Sequence, residues 1–336
     1  MNRHLALLAL AACTLGLAAC GERSEPGGPA GKERITLMLD FFPNADHAGI
    51  YEALASGEFA RAGLDVRIQV PGDPSAPLKL LQAGRTVLAI SYEPEVFLAR
   101  DKGADLVSIG ALVSEPLTSI IAVGDGKSHV RSAADLEHHT VGTAGIPYQS
   151  AYLKTIMEQA GADPANVKQV DVGFDLVPAM LSKKVYATLG GFWNYEGVQL
   201  ERKKRHPTVI RVDRAGVPTY DELVVVARRD EVSRRAATLR RFLQALARAH
   251  QRLRDDPAQG TEALLAANKD LDPGLQRESV RRTLPAFFPT ESGRPWGWQN
   301  IRQWEAYAKW MYTNGLIKQP ASAAAVTDDL LPGQGF

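Results

Sequence analysis

The chain has 336 residues, 45% of them hydrophobic and 23% charged, with a formal net charge of +1. That composition belongs to an ordinary folded globule long enough for two domains, and its near-neutrality lacks the electrostatic footprint that nucleic acid requires. The only cysteines are Cys13 and Cys20, so the body of the chain has no thiol for zinc coordination or nucleophilic catalysis.

The elements begin with an export signal. Arg3 precedes an apolar run from Leu5 to Ala19 that closes on Leu17-Ala18-Ala19-Cys20. A short positive start, an apolar stretch too short to span a bilayer comfortably and small residues before the cut describe a signal peptide over 1–19. The cut site resembles a lipobox, which places lipidation, and hence a membrane anchor, on Cys20. The similar Leu10-Ala11-Ala12-Cys13 would leave a very short apolar core. An ordinary secretory signal would also put the mature chain outside the cytoplasm. Cleavage removes Arg3 and brings the net charge to zero. Residues 20–33 are polar and rich in Gly and Pro, a flexible tether spanning roughly 20 Å as a coil. No later apolar stretch reaches transmembrane length.

Beyond the tether, strands are predicted at 35–42, 65–70, 87–92, 106–113, 119–123, 140–143, 167–172, 187–192, 208–212 and 222–227. Helical patterns lie between and beside them, at 48–62, 77–83, 96–102, 148–160 and 177–183. This alternation predicts an α/β fold with sheets of mainly parallel strands. The C-terminal third is helical. Leu239, Phe242, Leu243, Leu246 and Leu253 mark one face of a helix over 233–253, and further helices fall at 257–268 and 299–314. Strands at 118–123 and 222–226 bracket a block with its own strand–helix alternation. The expected organisation is one lobe from 34–120 and 223–336, with an inserted second lobe at 121–222. A single larger sheet would give a similar pattern.

Four stretches carry chemistry. In 39–51, Asp40, Phe41, Asn44 and His47 gather where a strand ends, the place where open α/β sheets bind ligands; Asp46 reads as a cap or turn former. The second, Ser91-Tyr92-Glu93-Pro94-Glu95, offers Tyr92 and Glu93, although two carboxylates there would also suit a solvated turn. In the third, Gly142-Thr143-Ala144-Gly145-Ile146-Pro147-Tyr148, small residues let backbone N–H groups approach a ligand at a helix start. The fourth, 190–197, contains Phe192, read as a core aromatic, then Trp193, Asn194, Tyr195 and Glu196. Strand-like alternation would let Trp193 and Tyr195 stack on a flat ring while Asn194 and Glu196 hydrogen-bond its edge. The resulting cleft is rich in acids and aromatics and lacks arginine, which favours a flat, neutral or cationic, amine-bearing heterocycle over an anion.

No catalytic motif, cofactor fingerprint or metal-ligand spacing is present. His138-His139 reads as a solvated turn, and Arg202-Lys203-Lys204-Arg205 as charges favouring a helix C-terminus.

Asp40-Phe41-Phe42-Pro43-Asn44 with His47, Ile90-Ser91-Tyr92-Glu93 and Phe192-Trp193-Asn194-Tyr195-Glu196-Gly197 resemble the thiamine-pyrimidine-precursor binding proteins of ABC importers. The likeness continues through Trp296-Gly297, Trp304, Tyr307, Trp310-Met311 and Asn314-Gly315-Leu316 to Pro332, covering nearly all of the chain from Ile35. In this C-terminal signature Ile301, Trp304, Ala308 and Met311 share one helix face. The resemblance implies a type II periplasmic-binding fold, two lobes closing on a small aminopyrimidine ligand, and permease and ATPase subunits as partners. It implies a binding protein rather than an enzyme, although the yeast-type pyrimidine synthase shares the fold. That synthase has a lysine and a histidine in the segment matching Ser91 and Glu95, and a cysteine-rich loop; this chain has none of these. Riboflavin, and sulfonate, taurine or nitrate, are the alternative ligands.

Overall fold

The structure, a computed structural model, describes residues 31–123, 130–319 and 323–333. The signal peptide, Cys20 and most of the tether lie outside them.

Among the described residues ten strands form two sheets. The first contains β1 (Glu33–Met38), β2 (Leu64–Gln69), β3 (Leu88–Ser91) and β4 (Leu106–Val113). The second contains β5 (Thr118–Val123), β6 (Thr140–Thr143), β7 (Lys168–Asp171), β8 (Ala187–Phe192) and β9 (Pro207–Arg211). The chain then returns with β10 (Leu223–Arg228). Strand orders are β2-β1-β3-β10-β4 and β7-β6-β8-β5-β9. Each sheet has four strands in one direction and one against them: β10 opposes β3 and β4, and β5 opposes β8 and β9. In both sheets the reversed strand is the one by which the chain arrives from the other sheet. The crossings run through 114–117 and 212–222.

Burial follows from the composition of these runs. All eight residues of β4 are buried, as are Leu223–Ala227 of β10, because apolar strands in a predominantly parallel sheet need both faces covered. The helix Ala236–Asp255 covers one face with Leu239, Phe242, Leu243, Leu246 and Leu253 all buried, the stripe its spacing predicts. It crosses the helix Ala48–Ala55 so closely that a Cβ on Gly49 would lie 2.2 Å from the His250 ring.

Several expected boundaries move. The helix expected over 48–62 breaks at Gly57, whose φ of 76° is left-handed, and resumes as Glu58–Arg61. β1 stops at Met38 rather than 42; Leu39 still donates its N–H to the Gln69 carbonyl at 2.9 Å before the chain leaves the sheet. At its other end Glu33 is already in the strand and pairs with Arg241 at 2.5 Å, so the tether ends before it. On the helix Ile301–Thr313, Trp304, Ala308 and Met311 are buried together with Tyr307, whereas Ile301 is 45% exposed. Ile301 occupies the first turn and leaves the expected face. The histidine pair is an exposed turn with His138 at φ 63°. Among the described residues no helix is long and apolar enough to cross a membrane.

Candidate functional site

After β1 the chain turns through Pro43 into a single helical turn, Ala45–His47. Asn44 caps that turn: its Oδ1 accepts the Asp46 N–H at 2.8 Å, and its Nδ2 donates to the Phe42 carbonyl at 3.2 Å. The Asn44 N–H in turn donates to His47 Nδ1 at 3.2 Å. With Nδ1 accepting, the imidazole proton sits on Nε2, which donates to Asp40 Oδ1 at 2.8 Å. The other Asp40 oxygen accepts the Tyr92 hydroxyl at 2.8 Å. Asp40 and His47 are buried, with these groups engaged internally. They fix Tyr92 and Asn44, which line the cavity, and do not line it themselves.

Glu93 opens the helix Glu93–Asp101 and is wholly buried. It accepts the Asp221 N–H at 2.8 Å, and its Oε1 has no hydrogen-bond partner. Burial beside the Asp221 carboxyl pushes the Glu93 carboxyl well above its ordinary range, so it is held neutral. It faces the second crossing segment and not the cleft. Glu95 accepts the Ser91 hydroxyl at 2.7 Å; burial raises it to about 7 against the effect of that bond.

The second sheet supplies the opposite wall. Tyr148, at the start of the helix Tyr148–Gln159, is 1% exposed. Gln149 accepts the Ala144 N–H at 2.9 Å. Gly190 has φ +116°, and a Cβ there would lie 2.4 Å from Gln149 Nε2. Only glycine lets β8 come so near. Beyond β8, Glu196 Oε2 accepts the Phe192 N–H at 2.7 Å, and the Tyr195 hydroxyl accepts from Gln276 at 3.0 Å. Burial raises the Glu196 carboxyl to about 7, opposed by the Phe192 bond.

Between the walls is a narrow cavity that opens to solvent. Six of the ten residues expected from sequence line it: Phe41, Asn44, Tyr92, Tyr148, Tyr195 and Glu196. Asp40, His47 and Glu93 stand behind it. Trp193 points away: its Nε1 donates to the Pro116 carbonyl at 3.2 Å, and the Arg211 guanidinium covers its ring at 4.9 Å. Phe192, read from sequence as core, lines the cavity, as do Thr118, Ile146, Gln149 and Leu176. Asp46 is not the cap. Its Oδ1 accepts from Asn194 Nδ2 at 2.6 Å. Among the described residues no lysine or arginine lines the cavity. Phe41 meets Phe174 edge-on, with ring centroids 4.2 Å apart.

The two crossings are clasped at the rear. Glu222 accepts from the Leu117 N–H at 2.6 Å, the Thr118 N–H and hydroxyl each at 2.8 Å, and the Tyr220 hydroxyl at 3.0 Å. This carboxyl binds both crossing segments to each other and holds Thr118 at the cavity wall. Among the described residues no group of His, Cys, Asp and Glu side chains is arranged to hold a metal ion.

A family model described as NMT1/THI5 like matches residues 44–260. The chain is 32% identical over 330 residues to a formylaminopyrimidine-binding protein of Halalkalibacterium halodurans, covering 96% of this chain and 97% of that one. It is 26% identical to a 4-amino-5-hydroxymethyl-2-methylpyrimidine phosphate synthase of Legionella pneumophila, over 83% of this chain and 87% of that one. Among solved structures, the ligand-binding component of an ABC-type import system from Staphylococcus aureus matches with a TM-score of 0.70 and 11% identity, over 90% of this chain and 99% of that one.

Proposed function

The chain belongs to the NMT1/THI5-like family and has the type II periplasmic-binding fold, and on that basis we propose that it is the substrate-binding component of an ABC importer. Its ligand is a thiamine pyrimidine precursor of the formylaminopyrimidine or hydroxymethylpyrimidine type, handed to a permease driven by an ATPase. The observation that carries this reading is Glu196, a buried carboxyl in a cavity walled by Phe41, Tyr92, Tyr148, Phe192 and Tyr195 and free of cations. A carboxyl raised to about 7 can accept an exocyclic amine N–H and share a proton with the neighbouring ring nitrogen. Rings on the walls cover the faces of a flat heterocycle. Thr118, Gln149 and Asn44 offer hydrogen-bonding groups for its edge. An anionic sulfonate, nitrate or phosphate would meet a carboxyl and no countercharge.

In this reading the mature chain works outside the cytoplasm, lipid-anchored at Cys20. Residues 34–120 with 223–336 form one lobe and 121–222 the other. They close by bending at 114–117 and 212–222.

The relative named a synthase makes turnover the competing reading. Here Ser91 and Glu95, the positions where the synthase resemblance places lysine and histidine, are hydrogen-bonded to each other. Calorimetry with formylaminopyrimidine and hydroxymethylpyrimidine is the test. Saturable heat at micromolar ligand supports the proposal, and its absence with both compounds refutes the ligand.

A further inference from the structure

The contact that joins the two ligand-bearing loops lies behind the cavity. Asn194, between Trp193 and Tyr195, is wholly buried, and so is Asp46. Asn194 Nδ2 donates to Asp46 Oδ1 at 2.6 Å and to Thr283 Oγ1 at 2.5 Å, and the Thr283 hydroxyl lies 3.1 Å from the same Asp46 oxygen. The two remaining atoms, Asp46 Oδ2 and Asn194 Oδ1, have no hydrogen-bond partner. Both are acceptors when Asp46 is ionised, so an ionised pair would keep a buried carboxylate oxygen without a donor and an unsatisfied amide oxygen on two hydrogen-bonded side chains, a costly combination. One proton on Asp46 Oδ2, donated to Asn194 Oδ1, would satisfy both atoms and complete a two-bond acid–amide ring.

We propose that Asp46 and Asn194 are positioning residues of the ligand site, an acid–amide pair with Asp46 neutral that locks loop 40–47 of the first sheet to loop 192–196 of the second. Neither residue lines the cavity. They hold together the loops that present Phe41 and Asn44 from one side and Tyr195 and Glu196 from the other. Ligand affinity enters only through the function proposed above.

The surroundings favour the neutral acid. Burial is the largest influence and raises the Asp46 carboxyl to about 6. His47 and the bonds from Asn194 and Thr283 oppose that rise, and Asp40 adds to it, without cancelling the effect of burial. The opposing loop brings Glu196 and Tyr195. The helix Pro273–Thr283 presents Thr283; its Glu278, Arg281 and Arg282 pair with one another and with Glu201. No arginine or lysine among the described residues is hydrogen-bonded to Asp46.

The test compares wild type with Asp46→Asn, whose amide makes the same two bonds without a proton, and with Asn194→Leu, which makes neither. Infrared spectra at about pH 5 should lose one protonated-carboxyl band in Asp46→Asn. Ligand dissociation should be about tenfold faster in Asn194→Leu, with association little changed. From about pH 5 to 8, wild-type dissociation should accelerate severalfold relative to Asp46→Asn as the buried carboxyl loses its proton; Glu196→Gln in both backgrounds removes the titration of Glu196, which Asp46 also influences. An unchanged infrared band, or a rate ratio flat with pH, overturns the pair. If wild type binds neither pyrimidine, the ligand assignment falls instead, and the infrared comparison alone still decides the acid–amide pair.

Discussion

Gly190→Ala should damage the site more than any other single methyl group. Gly190 sits at φ +116°, a region where an L-residue is strained by roughly 1–3 kcal/mol. The added Cβ would also lie 2.4 Å from Gln149 Nε2 and 3.3 Å from Cδ, and Gln149 cannot simply swing away. It is 2% exposed and accepts the Ala144 N–H. Displacing it leaves that buried N–H unpaired, a further loss of about 1–3 kcal/mol. The sum is about 2–6 kcal/mol, and both wall residues move. Urea unfolding measures the stability, and calorimetry with an aminopyrimidine measures the site. Gly173→Ala is the control: its φ is +53° and nothing lies within 4 Å of the added carbon, so it carries strain without collision. If Gly190→Ala proves no less stable than Gly173→Ala and binds ligand normally, the close approach of β8 to Gln149 is not what the site depends on.

Glu196→Gln keeps the acceptor for the Phe192 N–H but replaces the other oxygen with a donor; affinity for an aminopyrimidine should fall by tenfold or more, about 1.4 kcal/mol, and calorimetry with equal affinity would remove Glu196 from recognition. Trp193→Ala should leave ligand affinity within about threefold while lowering the melting temperature, since the indole braces the first crossing through Pro116 and Arg211. A loss of affinity without a loss of stability would return Trp193 to the site. Glu93 supplies a pH prediction. Its folded carboxyl is raised well above the unfolded value by burial, so the folded state binds the proton more tightly, and the associated stability is full below the unfolded pKa and lost as pH rises through the folded one. Wild type should therefore lose melting temperature towards alkaline pH more steeply than Glu93→Gln; parallel profiles would mean that Glu93 is ionised in the fold.

The fold was legible because its signals are local. Apolar runs such as 106–113 and the Leu239–Leu253 stripe are dictated by burial on two faces or one. The strand order was not, since the place of β10 between β3 and β4 depends on contacts more than a hundred residues apart. Among the site residues, the stretches were readable and the side-chain directions were not. Alternation along 192–196 would pair Trp193 with Tyr195 and Asn194 with Glu196. The chain instead leaves β8 at Phe192 and starts the helix at Glu196, with Tyr195 at φ −120° and ψ −73°. The period of two ends with the strand, so Phe192 and the adjacent pair Tyr195 and Glu196 line the cavity while Trp193 and Asn194 turn away.

That turn explains why unusual residues in one motif have different work. A ligand-facing group needs one exposed polar atom, whereas the loop that carries it needs its remaining buried polar groups paired. Asp40 with His47, Asp46 with Asn194, and Glu222 with Thr118 are such pairings, each placed directly behind a residue on the cavity wall. Sequence cannot separate the two sets, because carboxylates, amides and histidines serve both. What separates them is whether the side chain reaches the cavity wall and keeps an oxygen not engaged by protein donors. Asp40 uses both oxygens internally and Glu222 receives four hydrogen bonds. Glu196 accepts the Phe192 N–H through Oε2, and its side chain faces the cavity. In the proposed function Glu196 is therefore the acid positioned for the ligand, and Asp40 and Glu222 belong to the frame that keeps it there.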